Sequence, residues 1–371
     1  MEFVIKTFGG LEDLLTQEVI DLGLKKVEKV KRAVVCQGEE SDIFKLNYLL
    51  RTGVKVLVVI EKFTIKGKED LYSQVKKIDW EQFLTQHDSF CIDTVMISDL
   101  FDHSNYPGLV TKDAIADFFK EKYYKRPNVN KENPTAKFNL HINNNRVTIS
   151  LDTTGDSLFK RGYRDYTNEA PMNEVMAAGL ILLSGWDKKT DFLDPMCGSG
   201  TILIEAAMML LNVPAGFKKE HYAFMDWNNF KPKEWEAFKA QYKWDTTSNV
   251  KIIGRDVSAR TVKTIAASNV RNAGFANVVS VEKKDFMKSS EADQPYHIVF
   301  NPPYDERLEL ENDLKFYEEM GTILKFKFKG SKVAIISSNE EAMKHIGLKP
   351  INKVDLENVK LKFRVNTYEV F

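Results

Sequence analysis

From Ala170 onward the chain alternates short apolar runs with helical stretches, and four of the apolar runs end in or just before a polar residue. Phe192-Leu193, Lys251 to Gly254, Val278 to Val281, Tyr296 to Phe300 and Val333 to Ser337 read as strands. Thr201 to Leu211, Ala259 to Ala273, Glu311 to Phe326 and Glu340 to His345 read as helices. Such alternation predicts a doubly wound α/β unit with a mostly parallel sheet, whose ligands sit at its carboxyl edge. The first strand ends at Asp194, the second at Asp256, the third just before Asp285-Phe286 and the fourth at Asn301. Further on, Lys360 to Tyr368 sets Lys360, Lys362 and Arg364 against Leu361, Phe363 and Val365, which predicts a half-exposed strand pairing antiparallel at the sheet edge.

The string Asp194-Pro195-Met196-Cys197-Gly198-Ser199-Gly200-Thr201 ends a strand and opens a helix. Glycines at such a turn let backbone amides approach a ligand, and the helix adds its positive end. Asp256, followed by Val257, stands where a dinucleotide fold places the acid that accepts from ribose hydroxyls, so an adenosine-containing cofactor is implied. That cofactor need not carry phosphate. The turn lacks the third glycine of the dinucleotide fingerprint, Asp194 would repel a pyrophosphate, and no P-loop string occurs. S-adenosylmethionine, with an ammonium, a sulfonium and a ribose, suits these groups. The string Asn301-Pro302-Pro303-Tyr304 offers hydrogen-bond acceptors without a strong base or nucleophile, which suits alkyl transfer to an exocyclic amino group.

A chain of 371 residues with 43% hydrophobic residues is expected to fold as more than one domain. Its apolar runs stay short of the roughly 20 residues of a membrane span, and Met1 to Lys6 lacks the apolar region of a signal peptide, so the expected compartment is the cytoplasm, with no membrane partner. Cys36, Cys91 and Cys197 are widely spaced and the six histidines scattered, which argues against disulfides and against a metal site. Lys+Arg and Asp+Glu balance at 53 each, so any contact with nucleic acid must be local.

Upstream, Phe3 to Thr7 reads as a strand and Leu11 to Leu22 as a helix with Leu11, Leu14, Leu15, Val19 and Leu22 on one face. Ala33 to Gln37 reads as a strand, Ser41 to Leu50 as a helix and Val54 to Phe63 as a buried strand. Leu71 to Ile78, Phe90 to Met96, Thr111 to Lys125 and Phe138 to Leu151 then alternate helix, strand, helix and strand, a second small α+β unit. Thr153 to Asn168 breaks the pattern and reads as a linker. Asn212 to Asn249, with Trp227, Trp235 and Trp244, is an insertion longer than a simple connection requires.

The run Asp194 to Ala207, the string Asn301 to Leu308, Arg161-Gly162-Tyr163-Arg164, Glu169-Ala170-Pro171 and the start Gly9 to Leu15 together resemble the THUMP-domain RNA methyltransferases, above all the bacterial 23S ribosomal RNA guanine-N2 methyltransferases. The resemblance spans essentially the whole chain. It implies a ferredoxin-like domain over 1–52, a THUMP domain over 53–155 and a Rossmann-like methyltransferase domain with a seven-stranded mixed sheet over 156–371. Its implied cofactor is S-adenosylmethionine and its implied partner is RNA, 23S rRNA or a ribosome assembly intermediate. Asp194 and the backbone of Gly198, Ser199 and Gly200 would hold the methionine end, with Pro195, Cys197 and Thr201 also among the cofactor-binding residues. Asp256 with Val257 would hold the ribose, and Asp285 with Phe286 the adenine. In the catalytic string Asn301, Pro302, Pro303 and Tyr304, Asn301 and Pro302 would accept the two amino hydrogens of the base and Tyr304 would stack on it, and Asn301 would also be among the cofactor-binding residues. One departure is Asp305, where the family usually has glycine. Some members carry a second methyltransferase domain, absent from this sequence.

Several of these residues also have plainer readings. Cys197 reads as a small residue at a tight turn rather than a nucleophile, and Asp285 and Ser258 could be helix caps. Gly9-Gly10 reads as a turn before a helix. The run Lys120 to Lys131 and the set Lys325, Lys327, Lys329 and Lys332 could track phosphates or be solvated helix ends. The three tryptophans read as a local core. Rival functions are a tRNA guanine-N2 or DNA adenine-N6 methyltransferase, and a non-catalytic RNA-binding or assembly protein. Removal of Met1 to Thr154 is expected to spare cofactor binding and to lose RNA affinity.

Overall fold

The computed structural model describes residues 1–165, 172–303, 310–358 and 361–371. Its amino-terminal half contains β1 (Glu2–Lys6), α1 (Glu12–Asp21), β2 (Lys25–Val30), β3 (Ala33–Gln37), α2 (Asp42–Leu49) and β4 (Lys55–Thr64). There follow α3 (Lys68–Lys76), β5 (Ser89–Ile97), α4 (Tyr106–Tyr123), β6 (Asn128–Val129), β7 (Ala136–Asn143) and β8 (Arg146–Asp152). These strands form one eight-stranded sheet in the order β2-β3-β1-β4-β8-β7-β5-β6. β4 is the hinge of that sheet, because its first residues pair with β1 and most of its length pairs with β8. The α1 face read from the sequence is the buried one, with Leu11, Leu15 and Val19 fully enclosed.

Phe138 to Leu151 is not one strand but the hairpin β7–β8, which turns at Asn144, whose φ of 53° is a conformation asparagine tolerates. β2 escaped the sequence reading because its Lys-Lys-Val-Glu-Lys-Val is charged, as suits an edge strand that must not attract another chain.

The carboxyl-terminal half contains α5 (Glu174–Ser184), β9 (Phe192–Asp194), α6 (Thr201–Leu210), α7 (Pro232–Lys239), β10 (Ile252–Asp256) and α8 (Ala267–Ala273). It continues with β11 (Val279–Lys283), β12 (His297–Phe300), α9 (Leu310–Lys327), β13 (Lys332–Ser337), α10 (Glu340–Lys344), β14 (Asn352–Glu357) and β15 (Lys362–Glu369). The strands form a seven-stranded sheet in the order β11-β10-β9-β12-β13-β15-β14, parallel from β11 to β13 and antiparallel beyond. β15 is therefore antiparallel, as expected, but not the edge: β14 lies outside it. α5 carried no helical period because it is apolar all round and buried, with Asn173 capping it through Val175 N–H and Met176 N–H. The helix expected over Ala259 to Ala273 begins as a π-helical segment, Thr261–Ala266, before α8.

The two halves are joined at several places. Gly9 exchanges both backbone hydrogen bonds with Glu357 of β14, so the Gly9-Gly10 turn is also a seam between the ends of the chain. At Gly10, whose φ is 88°, a β-carbon would lie 2.1 Å from the Asp355 carbonyl oxygen, so only glycine fits. Leu11 packs on Gly179 of α5, where a β-carbon would come within 2.6 Å of its side chain. Phe44 and Tyr48 of α2 meet Trp235 and Phe238 of α7, with Phe44 5.2 Å and Tyr48 5.4 Å from the Trp235 ring. The tryptophans of the insertion are thus not a separate local core: Trp235 belongs to the core of the amino-terminal half, and Trp244 is 42% exposed. Finally, the described part of the stretch read as a linker is anchored in the interior: Thr153, Thr154 and Arg161 are enclosed, and Arg161 donates to the carbonyls of Leu50 and Arg51.

Candidate active site

The four parallel strand ends meet at one edge of the second sheet. Strand order reverses between β9 and β12, the place where an open α/β sheet leaves a crevice for ligands. Asp194 ends β9 on one side of that crevice, and Asn301 follows β12 on the other.

The glycine turn between β9 and α6 is built by backbone bonds. Cys197 N–H donates to the Arg255 carbonyl at 2.8 Å, and Gly200 N–H to the Cys197 carbonyl at 2.8 Å. Gly198 and Gly200 hold φ values of 51° and 80°, which glycine takes at no steric cost. Gly254 of β10 lies beneath the turn, and a β-carbon there would meet Leu203 at 2.3 Å and the Cys197 sulfur at 3.2 Å. No side chain caps α6, so the amides of its first turn are left for a ligand. Cys197 is buried, and its thiol is pushed well above the ordinary range by burial and by Asp194 and Asp256, which leaves it inert.

Asp194 is 1% exposed and accepts from Met196 N–H at 3.1 Å. Burial pushes its carboxyl well above the carboxylate range, and Asp256 adds to the rise against that hydrogen bond. A cation brought beside it would reverse the balance and favour the carboxylate. Asp256 accepts from Gly198 N–H at 3.1 Å and Ser258 N–H at 2.9 Å. Val257 beside it is 63% exposed, an apolar surface that a flat ring could cover. Ser258 is the cap anticipated for it, accepting from Thr261 N–H at 3.2 Å.

Asp285 caps the short helical turn Phe286–Lys288 through Met287 N–H at 3.0 Å. Phe286 is buried with its ring 5.9 Å from those of Phe300 and Phe328, so only its backbone can face a ligand. Asn301 carries the most telling atom of the site: its Oδ1 is buried and, among the described residues, accepts no hydrogen bond. Buried polar atoms are rarely left so, and the exceptions call for an explanation. Pro302 is buried and Pro303 exposed, while Tyr304 and Asp305 lie outside the described residues.

Two further sets of residues sort themselves by position. Lys325, Lys327, Lys329 and Lys332 gather where β13 begins, the sheet edge opposite the glycine turn. In the Lys120 to Lys131 run, Lys122 and Tyr123 are held by Glu81 and Lys125 rests 3.0 Å from His87, whereas Tyr124 is 95% exposed. Sequence reasoning missed Asn269, whose Nδ2 donates to the Ser199 carbonyl at 3.0 Å, and gave Arg164 no task although it donates to Thr201 Oγ1 at 2.8 Å. Neither residue lies in the strings that mark the turn. Among the described residues no group of side chains could hold a metal ion, and no helix is long and apolar enough to cross a membrane.

This sheet order, with a glycine turn, an acid after the second strand and an asparagine after the fourth, defines a Rossmann-like methyltransferase domain, preceded by a ferredoxin-like and a THUMP domain. The chain belongs to the family described as RMKL-like, methyltransferase domain, whose model matches residues 161–366. The THUMP domain model matches residues 66–152 and the RlmL ferredoxin-like domain model residues 2–57. The chain is 34% identical to ribosomal RNA large subunit methyltransferase K/L of Buchnera aphidicola subsp. Schizaphis graminum, across 98% of this chain and 53% of that protein. It thus spans about half the length of this curated relative. Among solved structures, that of SMU.472 complexed with SAH is 29% identical with a TM-score of 0.89, covering 100% of this chain and 98% of the other. A predicted N6-adenine-specific DNA methylase from Listeria monocytogenes str. 4b F2365 is 28% identical, again with a TM-score of 0.89, covering 100% and 96%.

Proposed function

We propose that this protein transfers a methyl group from S-adenosylmethionine to the exocyclic N2 amino group of a guanosine in RNA, with 23S rRNA or a ribosome assembly intermediate as the natural substrate. The observation that carries the reading is Asn301 Oδ1, a buried acceptor that lacks a donor among the described residues, at the switch point of the sheet. An acceptor so placed lacks one hydrogen, and a purine amino group brings it.

The residues present fit the cofactor. The carboxylate of its methionine end suits the uncapped amides of α6 and the Gly198 to Gly200 turn, and its ammonium suits Asp194. Asp256 would hold the ribose, Val257 would cover the adenine, and Asp285 with the Phe286 amide would take the adenine edge. S-adenosylmethionine supplies a methyl group on a positively charged sulfur.

The remaining work belongs to the protein. Asn301 Oδ1 and the Pro302 carbonyl each accept one amino hydrogen of the base, which turns the nitrogen lone pair away from the ring. Tyr304 stacks on the base. With no strong base in the string, acceleration comes from positioning and from acceptors that stabilise the charge developing on nitrogen. The nitrogen–carbon bond forms as the sulfur–carbon bond breaks with its electron pair left on sulfur, and the extra proton on nitrogen then passes to water. The THUMP and ferredoxin-like domains supply the RNA grip, with Tyr124 as an exposed aromatic on that side.

The test is methyl transfer from labelled cofactor to RNA of a strain lacking the protein, followed by nucleoside mass spectrometry. N2-methylguanosine is expected. N6-methyladenosine would overturn the guanine assignment in favour of the adenine reading, and label entering tRNA alone would overturn the rRNA assignment.

A further inference from the structure

α6, the helix behind the glycine turn, is gripped by arginines along its length. Arg51 Nη2 donates to the Val213 carbonyl at 2.7 Å, just past the carboxyl end. In the middle, Glu205 is fully buried, accepts from the Tyr163 hydroxyl at 3.0 Å and has Arg161 Nε 3.5 Å away. At the amino end, Arg164 Nη2 donates to Thr201 Oγ1 at 2.8 Å and to the Met172 carbonyl at 2.8 Å. The same Nη2 lies 3.3 Å from Glu174 Oε1, on the first turn of α5.

Arg164 therefore reaches the end of α6 that carries the turn. Thr201 Oγ1 also shares a hydrogen bond with Ser199 Oγ, 3.1 Å away. The Ser199 carbonyl is held in turn by Asn269, whose Oδ1 accepts from Asp165 N–H at 3.2 Å. Residues 164 and 165 thus hold the turn twice, once directly and once through Asn269. Such holding is needed from outside: Gly198 and Gly200 leave the backbone permissive, and α6 has no side-chain cap. Nη2 has two hydrogens, one for the Thr201 hydroxyl and one for the Met172 carbonyl, with the Glu174 carboxyl beside them, and it stands one atom further along the side chain than a lysine ammonium would.

We infer that Arg164 is a positioning residue for the methyl-transfer reaction, fixing Thr201 and the Ser199 to Thr201 end of the turn against the start of α5. The inference rests on the reading of that turn as the cofactor seat. Arg164 acts through Thr201 and does not itself touch the reacting atoms.

The test is calorimetric titration of the full chain with S-adenosylhomocysteine, for the wild type, Arg164→Gln, Arg164→Lys, Thr201→Val and the Arg164→Gln/Thr201→Val double variant. Folding midpoints and the KM values for cofactor and RNA are followed in parallel. Arg164→Gln is expected to weaken binding about tenfold or more, the scale of one hydrogen bond to a charged group. Thr201→Val should also weaken binding, and the double variant should lose less than the product of the two single losses, because the Arg164–Thr201 contact is lost in both. The cofactor KM should rise while the RNA KM stays within about twofold, and Arg164→Lys should keep the folding midpoint without regaining affinity. Where Arg164→Gln does not fold, Arg164→Lys and Thr201→Val carry the comparison. Wild-type affinity in either arginine variant, or losses that multiply in the double variant, would overturn the inference. A wild-type chain that does not bind S-adenosylhomocysteine would overturn the cofactor seat itself, and the inference with it.

Discussion

Asp256 Oδ2 accepts the Gly198 amide hydrogen at 3.1 Å, so the acid after the second strand of the site and the glycine turn after the first are one hydrogen-bonded unit. A ribose bound by Asp256 would meet a carboxylate already oriented by two backbone amides. Asp256→Ala removes the brace on the turn and, with it, the carboxylate proposed to accept from the ribose. Binding of S-adenosylhomocysteine should weaken by about 1.5 to 3 kcal/mol, the scale of a charged hydrogen bond. Unchanged affinity in calorimetry would take Asp256 out of the site.

The amino-terminal half is not a detachable arm. Leu11 against Gly179, Gly9 against Glu357 and the Phe44–Trp235 cluster would all be laid open by removing Met1 to Thr154. The expectation that such a truncation spares cofactor binding gives way to the opposite one. The truncated chain should aggregate or lose S-adenosylhomocysteine binding, read by size-exclusion chromatography and calorimetry. A monodisperse fragment with wild-type affinity would show that the welds are dispensable.

How far the site was legible follows from where its signals lie. The strand ends carrying Asp194, Asp256, Asp285 and Asn301 announce themselves because apolar runs stop abruptly at polar residues, and pairing the strands in parallel brings them to one edge. Phe286 was misleading in its side chain, since an aromatic after an acid looks alike in a pocket and in a core. β2 and β14 were invisible because charged residues interrupt their few apolar ones, Val27 and Val30 in the first and Val354 and Leu356 in the second. The glycine turn shows its own residues but not its supports: Asn269 lies in a different helix, and Arg164 touches Thr201 across 37 positions of sequence. Long-range polar contacts leave no local period to read. Gly9-Gly10 was legible as a turn, and its second task needs the far end of the chain.

His297 offers a pH test of the core. Its Nε2 lies 2.8 Å from Ser184 Oγ, and burial lowers its pKa to about 4. Between that value and the ordinary 6.5, the unfolded chain binds the proton and the folded one does not. Stability from the neutral imidazole is therefore complete above about pH 6.5 and is lost as pH falls toward 4, by up to about 3 kcal/mol. Denaturant titrations of wild type and His297→Asn should differ in slope across that window. Parallel curves would place the imidazole in a less buried setting.

Glu174 has the opposite sign. Burial raises its carboxyl to about 7 although Arg164 opposes the rise, so the folded chain keeps a proton that the unfolded chain releases above about 4.5. Its contribution to stability falls as pH climbs from 4.5 to 7 and stays low beyond. Glu174→Gln should flatten that decline in the same titrations. A decline of unchanged depth would assign it to other groups.

The central claim is that Asn301 Oδ1 waits for an amino hydrogen, and Asn301→Ala tests it most directly in a single preparation. Its S-adenosylhomocysteine affinity should match the wild type within about twofold, while methyl transfer to RNA should fall by about two to three orders of magnitude, as when one preorganised polar group is removed from an active site. Wild-type turnover by this variant would contradict the account, because the buried acceptor would then have no part in the reaction.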